Sequence, residues 1–510
     1  MQKQAVFKNY SQNQLSFLPP SLDELIISTH PVRVINTVID KLDLTLIEKS
    51  YEGGGASSYH PKMLLKVLIF GYLNNIYSSR KIEAAIKENI NFMWLSGMSR
   101  PDHHTVNRFR GERLKQHIKD VFTQVVKLLV ESGHVSLRDA YTDGTKIEAN
   151  ANRYTFVWGN AIKTNKAKME QQLKELWAYA ERVGELEKDD DTPPDFTPTD
   201  PKKVKETIDK INAALKDKAG VSKQITNKLK YAEKNWPANI AKYNEQETIL
   251  AGRNSFSKTD TDATFMRMKE DHMRNGQLKP GYNLQISTEN QIITNYSIHQ
   301  NPTDTKTFIP HLNQFEKQYG KVPAAAVADA GYGSEQNYEY LAHKGIESFV
   351  KYNNFDTEQR KSKHIKKPFA ADYLFFNKEQ NQYTCPIGQP MQHMGTYSQK
   401  TDAGYERTID KYQAKNCSSC PLNGACHKSK GNRIIEVSHQ GNLYRKQSSE
   451  NLKSEQGIYY RKKRCIEPEP VFGNLKHNKK FKRFMLRGLE KVNIEAGLLA
   501  LSHNFAKIAA

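Results

Sequence analysis

The spacing of the apolar residues changes at His134, and this change most limits the folds open to the chain. Before it, segments at 61–75, 80–89 and 103–130 carry apolar side chains at intervals of three and four, the period of packed α-helices. After it come short β-rich runs, which stop for about ninety mostly charged residues and resume beyond Gly252. We therefore expect a helical N-terminal region, followed by a sheet that the chain leaves and re-enters.

The sequence predicts an α/β domain assembled from separate segments, with an all-α N-terminal domain of the helix-turn-helix type before it. An acidic, Pro-rich hinge at 187–201 would join the two arms of a charged helical hairpin. The predicted boundaries are 1–130 for the helical domain, 131–162, 253–365 and 455–510 for the α/β domain, 163–252 for the charged helical hairpin insertion, and 366–454 for a Cys-containing insertion.

The charge of the chain indicates a polyanionic partner. It has 76 Lys and Arg against 56 Asp and Glu, a net charge of +20, and binding to phosphates releases their counterions. The longest apolar stretch, around Met63 to Leu73, is interrupted by Lys66, so no membrane association or signal peptide is expected. Five Cys in 510 residues are too few for a disulfide framework, and we expect a reduced, cytoplasmic protein.

The last helical segment of the N-terminal region carries polar side chains suited to DNA. It begins after Pro101-Asp102, and its first turns hold His104, Asn107, Arg108 and Arg110. A recognition helix presents such positions to base edges or phosphates. The same residues also fit the solvated basic face of a packing bundle, and both interpretations stay open.

Two Asp residues stand where strands are predicted to end. Asp143 precedes Gly144, which we predict as a turn between two strands, and Asp329 follows the buried run VPAAAVADAG. Asp before Gly is also an ordinary turn pair. Asp139, four residues before Asp143, is an alternative on the same face of the strand.

A third carboxylate, Glu469, lies in a strongly basic segment. Pro470 fits the first turn of a helix, on which Glu469 and Lys476 would share a face. Glu467 is the neighbouring alternative. Three carboxylates can hold two hard divalent ions roughly 4 Å apart, an arrangement that supports phosphoryl transfer on nucleic acid.

With these residues the sequence resembles bacterial insertion-sequence transposases of the DDE type, whose catalytic domain is RNase H-like. The resemblance rests on three motifs in order, TDGTKIEANAN at Asp143, DAGYGS at Asp329 and EPVFGNLKHN at Glu469. It covers most of the chain outside 163–252. Further segments that resemble this group are LPPSLDELI, YHPKMLLKVLIFGYL, YSSRKIEAAI, KPGYNLQI and RFMLRGLEKVNIEAGLLALSHNFAKI.

The resemblance implies metal-dependent cutting at transposon ends, followed by attack of the freed 3′-OH on target DNA. The implied partners are double-stranded DNA, as terminal inverted repeats and as target DNA, and a second copy of the chain in a homodimeric synaptic complex. A nucleoid-associated location in a bacterium follows from such a substrate. A DNA-binding protein derived from a transposase but lacking catalysis, and a metal-dependent nuclease that cuts without joining, stay open as other functions.

The resemblance also implies roles for particular residues. Asp143, Asp329 and Glu469 would bind two Mg²⁺ or Mn²⁺ ions, and the alignment favours them over Asp139 and Glu467. Tyr332 matches the aromatic position of the second motif, and Lys476 the lysine of the third, both as DNA contacts. A related third-motif pattern places its arginine at Cys465, one residue after Arg464, so the identity of the phosphate-binding arginine stays open.

The second insertion contains a candidate zinc site. Cys417 and Cys420 have the Cys-x2-Cys spacing of a zinc knuckle. Cys385 and Cys426 would complete a four-thiolate structural Zn²⁺ site, with His427 as a substitute ligand. Unligated thiols in a reduced cytosol are the other interpretation.

Overall fold

The computed structural model describes residues 20–51, 57–184, 195–216, 218, 221–268, 276–359 and 369–509. Two predicted features lie partly or wholly outside these ranges: the acidic hinge at 187–201, of which 195–201 are described, and the domain boundary at 365. The chain divides into two units, Met1–Leu128 with Gly497–Ala510, and Leu129–Ala496. Among the helices of the described ranges, none combines the length and hydropathy of a membrane span.

The first unit is built from short helices that pack through apolar faces. Pro31 and Pro61 stand in first turns, and His30 and His60 cap those helices by accepting hydrogen bonds through Nδ1, both at 3.1 Å. The helices are Pro31–Asp40 (α1), Thr45–Glu48 (α2), Pro61–Leu73 (α3), Ser79–Glu88 (α4), Ile90–Leu95 (α5), His103–Arg108 (α6) and Ile118–Glu131 (α7).

The single helix predicted over 103–130 is interrupted. It is formed as α6, a π-helical segment Phe109–Arg113, and α7 after a turn. The wider π turn carries Arg110 into the interior, where its guanidinium donates to the Tyr77 carbonyl oxygen at 2.7 Å. The apolar period predicted the helical content correctly, but it could not reveal this inward-turned arginine.

The second unit contains a mixed sheet, which confirms the predicted α/β architecture. The strands of this unit up to residue 350 are Asp139–Glu148 (β1), Phe156–Trp158 (β2), Ser255–Ser257 (β3), Thr264–Arg267 (β4), Leu278–Glu289 (β5), Ile292–His299 (β6), Ala325–Ala328 (β7) and Glu347–Val350 (β8). The order in the mixed sheet is β4-β5-β1-β7-β8, and β6 pairs with β5. The pairs β1–β7 and β7–β8 are parallel, and the other pairs of this sheet are antiparallel.

The predicted turn at Gly144 is wrong, because β1 continues through this residue. Gly144 lies opposite Gln285 of β5. A Cβ on Gly144 would lie 2.1 Å from Gln285 Nε2 and 2.8 Å from Asp304 Oδ1. Glycine is therefore needed here so that buried polar side chains can approach the strand closely, and not to turn the chain.

The first insertion forms three helices where a two-armed hairpin was predicted. The antiparallel pair β2–β3 joins its two ends. The helices are Gly159–Gly184 (α8), Pro201–Leu215 (α9) and Lys223–Leu250 (α10). Their common buried core includes Leu173, Leu176, Ile208, Ile211 and Trp236. The second predicted arm is therefore divided into α9 and α10.

Helices cover both faces of the mixed sheet. Successive residues of β7 point to opposite faces: Ala326 and Ala328 pack with Phe308, while Val327 packs with Tyr460 on the other face. A strand buried on both faces explains the unbroken apolar run in the sequence. The helices of the second unit after residue 307 are Phe308–Tyr319 (α11), Glu335–His343 (α12), Phe355–Glu358 (α13), His439–Lys453 (α14), Glu455–Arg464 (α15) and Pro468–Gly473 (α16). Leu489–Ile508 (α17) is divided between the two units at Gly497.

The Cys-containing insertion is an antiparallel sheet of order β13-β12-β11-β10-β9. Its strands are Phe375–Asn377 (β9), Gln382–Thr384 (β10), Pro390–Lys400 (β11), Glu406–Ala414 (β12) and Ile434–Val437 (β13), after a 3₁₀ turn at Ala371–Tyr373. Helix α14, which the prediction assigned to this insertion, contacts both sheets, and its His439 Nε2 lies 2.7 Å from the Tyr412 hydroxyl of β12. Its Ser448 Oγ donates to the Val350 carbonyl oxygen at 2.7 Å.

Candidate active site

Asp143 and Asp329 reach the same level of the mixed sheet because β1 and β7 are parallel. Tyr141 of β1 is paired with Val327 of β7. Each Asp follows two residues further along its own chain segment. Because both Asp residues follow this parallel pair by the same number of residues, their side chains lie at the same height along the two neighbouring strands.

Arg464, at the end of α15, shows that the three predicted carboxylates converge. Its Nη2 lies 3.6 Å from Oδ2 of Asp143 and 3.6 Å from Oδ2 of Asp329. Its Nη1 lies 3.5 Å from Oε1 of Glu469. Because one guanidinium spans only a few ångströms, three acids from distant parts of the sequence meet in one small region. We call Asp143, Asp329 and Glu469 the carboxylate triad.

The carboxylate triad is buried on the side of Asp143 and exposed to solvent on the side of Glu469. The side chain of Asp143 is 8% exposed, that of Asp329 is 39% exposed and that of Glu469 is 55% exposed. Arg464 is 11% exposed, and its Nε is buried without a hydrogen-bond partner among the described residues. A substrate would therefore approach from the side of Glu469.

The two alternative acids are held by other parts of the fold. Asp139 Oδ1 accepts a hydrogen bond from the Tyr460 hydroxyl at 2.9 Å. Glu467 is buried, and its carboxylate accepts from the backbone N–H groups of Asn290 at 3.0 Å and Gln291 at 2.9 Å. These contacts favour Asp143 and Glu469 as the site residues.

Tyr332 lies beneath the carboxylate triad and does not face solvent. It is fully buried, and its hydroxyl donates to Oε1 of Gln285. Burial, and then the carboxylates of Asp304, Asp143 and Asp329, raise the pKa of Tyr332 well above its ordinary value, so it stays a neutral donor. Its position supports the site from below and does not allow the predicted direct DNA contact.

Asp304 is a site residue that the sequence reasoning missed. Its Oδ1 accepts from Asn283 Nδ2 at 2.8 Å and from Gln285 Nε2 at 2.9 Å. A Cβ on Gly331 would lie 3.0 Å from Asp329 Oδ1 and 3.7 Å from Asp304 Oδ2. Glycine thus leaves a space walled by two carboxylates. The sequence signal that could have identified Asp304 is the one used for Asp329, an acidic residue shortly after a predicted strand.

Lys476, the predicted lysine contact, does not lie on one continuous α-helix with Glu469. Lys476 is buried, at 8% exposure, in a π-helical segment Asn474–Asn478 that follows α16. The angular spacing of an α-helix, on which the shared face with Glu469 was based, therefore ends at Gly473. Other cationic side chains of this region are exposed, among them Lys462, Lys480 and Lys482.

The N-terminal candidates divide into exposed and buried residues. His104, Asn107 and Arg108 are exposed, and their spacing places them on one face of α6. Arg110 is 3% exposed, and its guanidinium also donates to Asn107 Oδ1 at 3.1 Å. Arg110 holds helices together, so the predicted DNA contact is retained only for the other three.

The donor set of the carboxylate triad fits hard divalent cations, which prefer carboxylate oxygens. Among the described residues, however, no group of three or more His, Cys, Asp and Glu side chains is arranged to hold a metal ion as it stands. At the triad the Arg464 guanidinium lies within 3.6 Å of an oxygen of each of the three carboxylates. A cation bound there would share these oxygens with the guanidinium.

Comparison with known families adds two matches. The family described as Transposase DDE domain matches residues 384–509, which include Glu469, Arg464 and the Cys residues of the insertion. The family described as Transposase domain (DUF772) matches residues 20–112, which include the exposed face of α6. Asp143 and Asp329 lie between the two matched segments. No curated protein and no solved structure matches the chain.

Proposed function

We propose that this chain, an insertion-sequence transposase of the DDE type, binds the ends of its element, cleaves DNA strands there and joins them to target DNA. The observation that carries the proposal is the convergence of the carboxylate triad on Arg464. We also propose an RNase H-like arrangement for the mixed sheet and a helix-turn-helix for the N-terminal helices, which the sheet order and the exposed face of α6 support.

The carboxylate triad would hold two Mg²⁺ or Mn²⁺ ions. Bound there, such ions would activate the attacking oxygen and stabilise the leaving oxygen of the phosphate. Arg464 would bind the phosphate itself, because a guanidinium can donate two parallel hydrogen bonds to phosphate oxygens. Tyr332 and Gln285 would keep β5 and the Asp329 turn at a fixed separation through their buried hydrogen bond.

Two surfaces would bind the DNA. His104, Asn107 and Arg108 would reach base edges or phosphates of the terminal repeat from α6. The exposed Lys462 and Lys480 would neutralise backbone phosphates near Glu469. Two ends must be held together for strand transfer, so we propose a homodimer in the synaptic complex.

The proposal is tested with a labelled duplex that carries the native element end. We expect cleavage at the element boundary with Mg²⁺ or Mn²⁺ and none with EDTA, read on a denaturing gel, and a joined product when target DNA is added. Salt-sensitive binding without cutting in either metal would favour a DNA-binding protein without catalysis. Cutting without any joined product would favour a nuclease.

Replacement of Asp304 is expected to slow cleavage without unfolding the protein. In Asp304→Asn the acceptor Oδ1 can stay, while the charge facing the space at Gly331 is lost. We expect a cleavage rate lower by about 10-fold, the usual effect of losing a residue that supports a metal site. Single-turnover rates measure this effect. Asp356→Asn, an exposed acid paired with Lys351, is the matched control, and equal losses in both variants would remove Asp304 from the site.

A further inference from the structure

Four cysteines and a histidine of the Cys-containing insertion line one small pocket. Cys417, Cys420, Cys426 and His427 come from the loop between β12 and β13, and Cys385 comes from the turn after β10. That turn is tight, because the Gly388 N–H donates to the Cys385 carbonyl oxygen at 2.9 Å. Donors from two separate loops thus meet at one end of the sheet, as they do in structural zinc sites.

The imidazole of His427 has one satisfied and one unsatisfied nitrogen among the described residues. Its Nδ1 lies 2.8 Å from Oγ of Ser429. Its Nε2 is buried and has no hydrogen-bond partner among the described residues. An unsatisfied buried nitrogen is unfavourable by about 1–3 kcal/mol. Ser429 Oγ itself donates to the Gly431 carbonyl oxygen at 3.3 Å, so it can accept from Nδ1–H. Nε2 is bare in that tautomer, the form in which His binds metals.

The neighbouring Cys426 already has a partner. Its Sγ accepts a hydrogen bond from Nη1 of Arg433 at 2.8 Å. Because Cys426 and His427 are adjacent in the chain, both are difficult to direct at one ion. The backbone N–H of Arg433 also donates to Sγ of Cys417 at 3.4 Å, a bond that would support a thiolate. Three thiolates and one imidazole around Zn²⁺ carry a net charge of −1, which the Arg433 guanidinium would balance.

The sheet also needs such a link, because its own core is small. The buried residues are Tyr383, Met391, Tyr412, Ala414, Cys417, Ile435 and Val437. Most residues of β11 are exposed. Small modules with little buried apolar surface are commonly stabilised by disulfides or metal ions, and metal binding then contributes directly to the folding free energy.

We propose that the insertion binds one structural Zn²⁺ through Cys385, Cys417, Cys420 and His427. This assignment differs from the sequence prediction, in which Cys426 was a ligand and His427 its substitute. The side chains are not yet arranged to hold the ion, so binding requires the thiols to rotate toward the pocket. The site does not depend on the proposed DNA chemistry.

The test is the zinc content of the purified full chain, measured by elemental mass spectrometry. We expect about one zinc per chain, a loss in Cys420→Ser and in His427→Ala, and retention in the matched control Cys426→Ser. Loss in Cys426→Ser with retention in His427→Ala would overturn the ligand assignment in favour of four thiolates. A chain without zinc after expression in zinc-supplemented medium would overturn the site.

A second measurement uses the unaltered chain, so it tests the zinc site even if the variants do not fold. After exchange of the metal for Co²⁺, a tetrahedral thiolate site gives visible d–d bands and an ultraviolet thiolate-to-cobalt band. We expect both, with an ultraviolet intensity that corresponds to three thiolates. An octahedral spectrum without the ultraviolet band would contradict the proposal.

Discussion

Asp329→Asn is expected to lower the rate of strand cleavage by at least about 100-fold, the equivalent of nearly 3 kcal/mol in the barrier. The Asp329 carboxylate lies 3.6 Å from the guanidinium that also meets Asp143 and Glu469. An amide of the same shape keeps the turn, whose Gly331 N–H donates to Oδ1 at 2.9 Å. It removes the charge that a divalent ion needs. Binding to the labelled element end, measured by gel shift, should stay within about 3-fold.

The control for this variant is Asp139→Asn on β1. Asp139 accepts from Tyr460 at 2.9 Å, and an Asn oxygen can take over that hydrogen bond. We expect cleavage within about 3-fold of the unaltered chain, since substitutions away from the site usually have small effects. If both variants lost cleavage equally, the loss would reflect the fold and not the carboxylate triad.

The sequence singled out the three acids as candidates but did not show that they meet. Asp143 and Asp329 stand out locally, in and after short strands. They lie side by side because Tyr141 is paired in parallel with Val327. The strands that carry Tyr141 and Val327 are separated by more than 170 residues in the chain. Such a register depends on tertiary packing, which local patterns do not contain.

Three of the corrected predictions share one physical cause. Gly144 has the local pattern of a turn, yet contact with Gln285 requires a glycine inside a strand. Arg110 has the position of an exposed helical residue, yet a π turn directs it at the Tyr77 carbonyl. Tyr332 matches a motif position, yet its hydroxyl is engaged by Gln285. In each residue a long-range polar contact outweighs the local preference.

Arg464→Gln is expected to have two opposite effects. Cleavage should fall by about 100-fold, because the side chain proposed to bind the phosphate is lost. Binding of Mn²⁺ to the DNA-free protein should become tighter by roughly 10-fold, since the guanidinium no longer neutralises the three carboxylates that it approaches within 3.6 Å. Electron paramagnetic resonance of free Mn²⁺ measures the affinity without any need for cleavage.

Lys462→Gln is the matched control, because it removes one positive charge from the same helix at an exposed position. It should change Mn²⁺ affinity by less than about 2-fold, since exposed charges are screened by salt and solvent. Unchanged Mn²⁺ affinity in Arg464→Gln would show that the guanidinium does not compete with the metal. If the Mn²⁺ affinity does rise, a DNA phosphate that draws Arg464 away from the carboxylate triad would raise the affinity of the triad for metal in the same way. A single side chain would then couple DNA binding to metal binding.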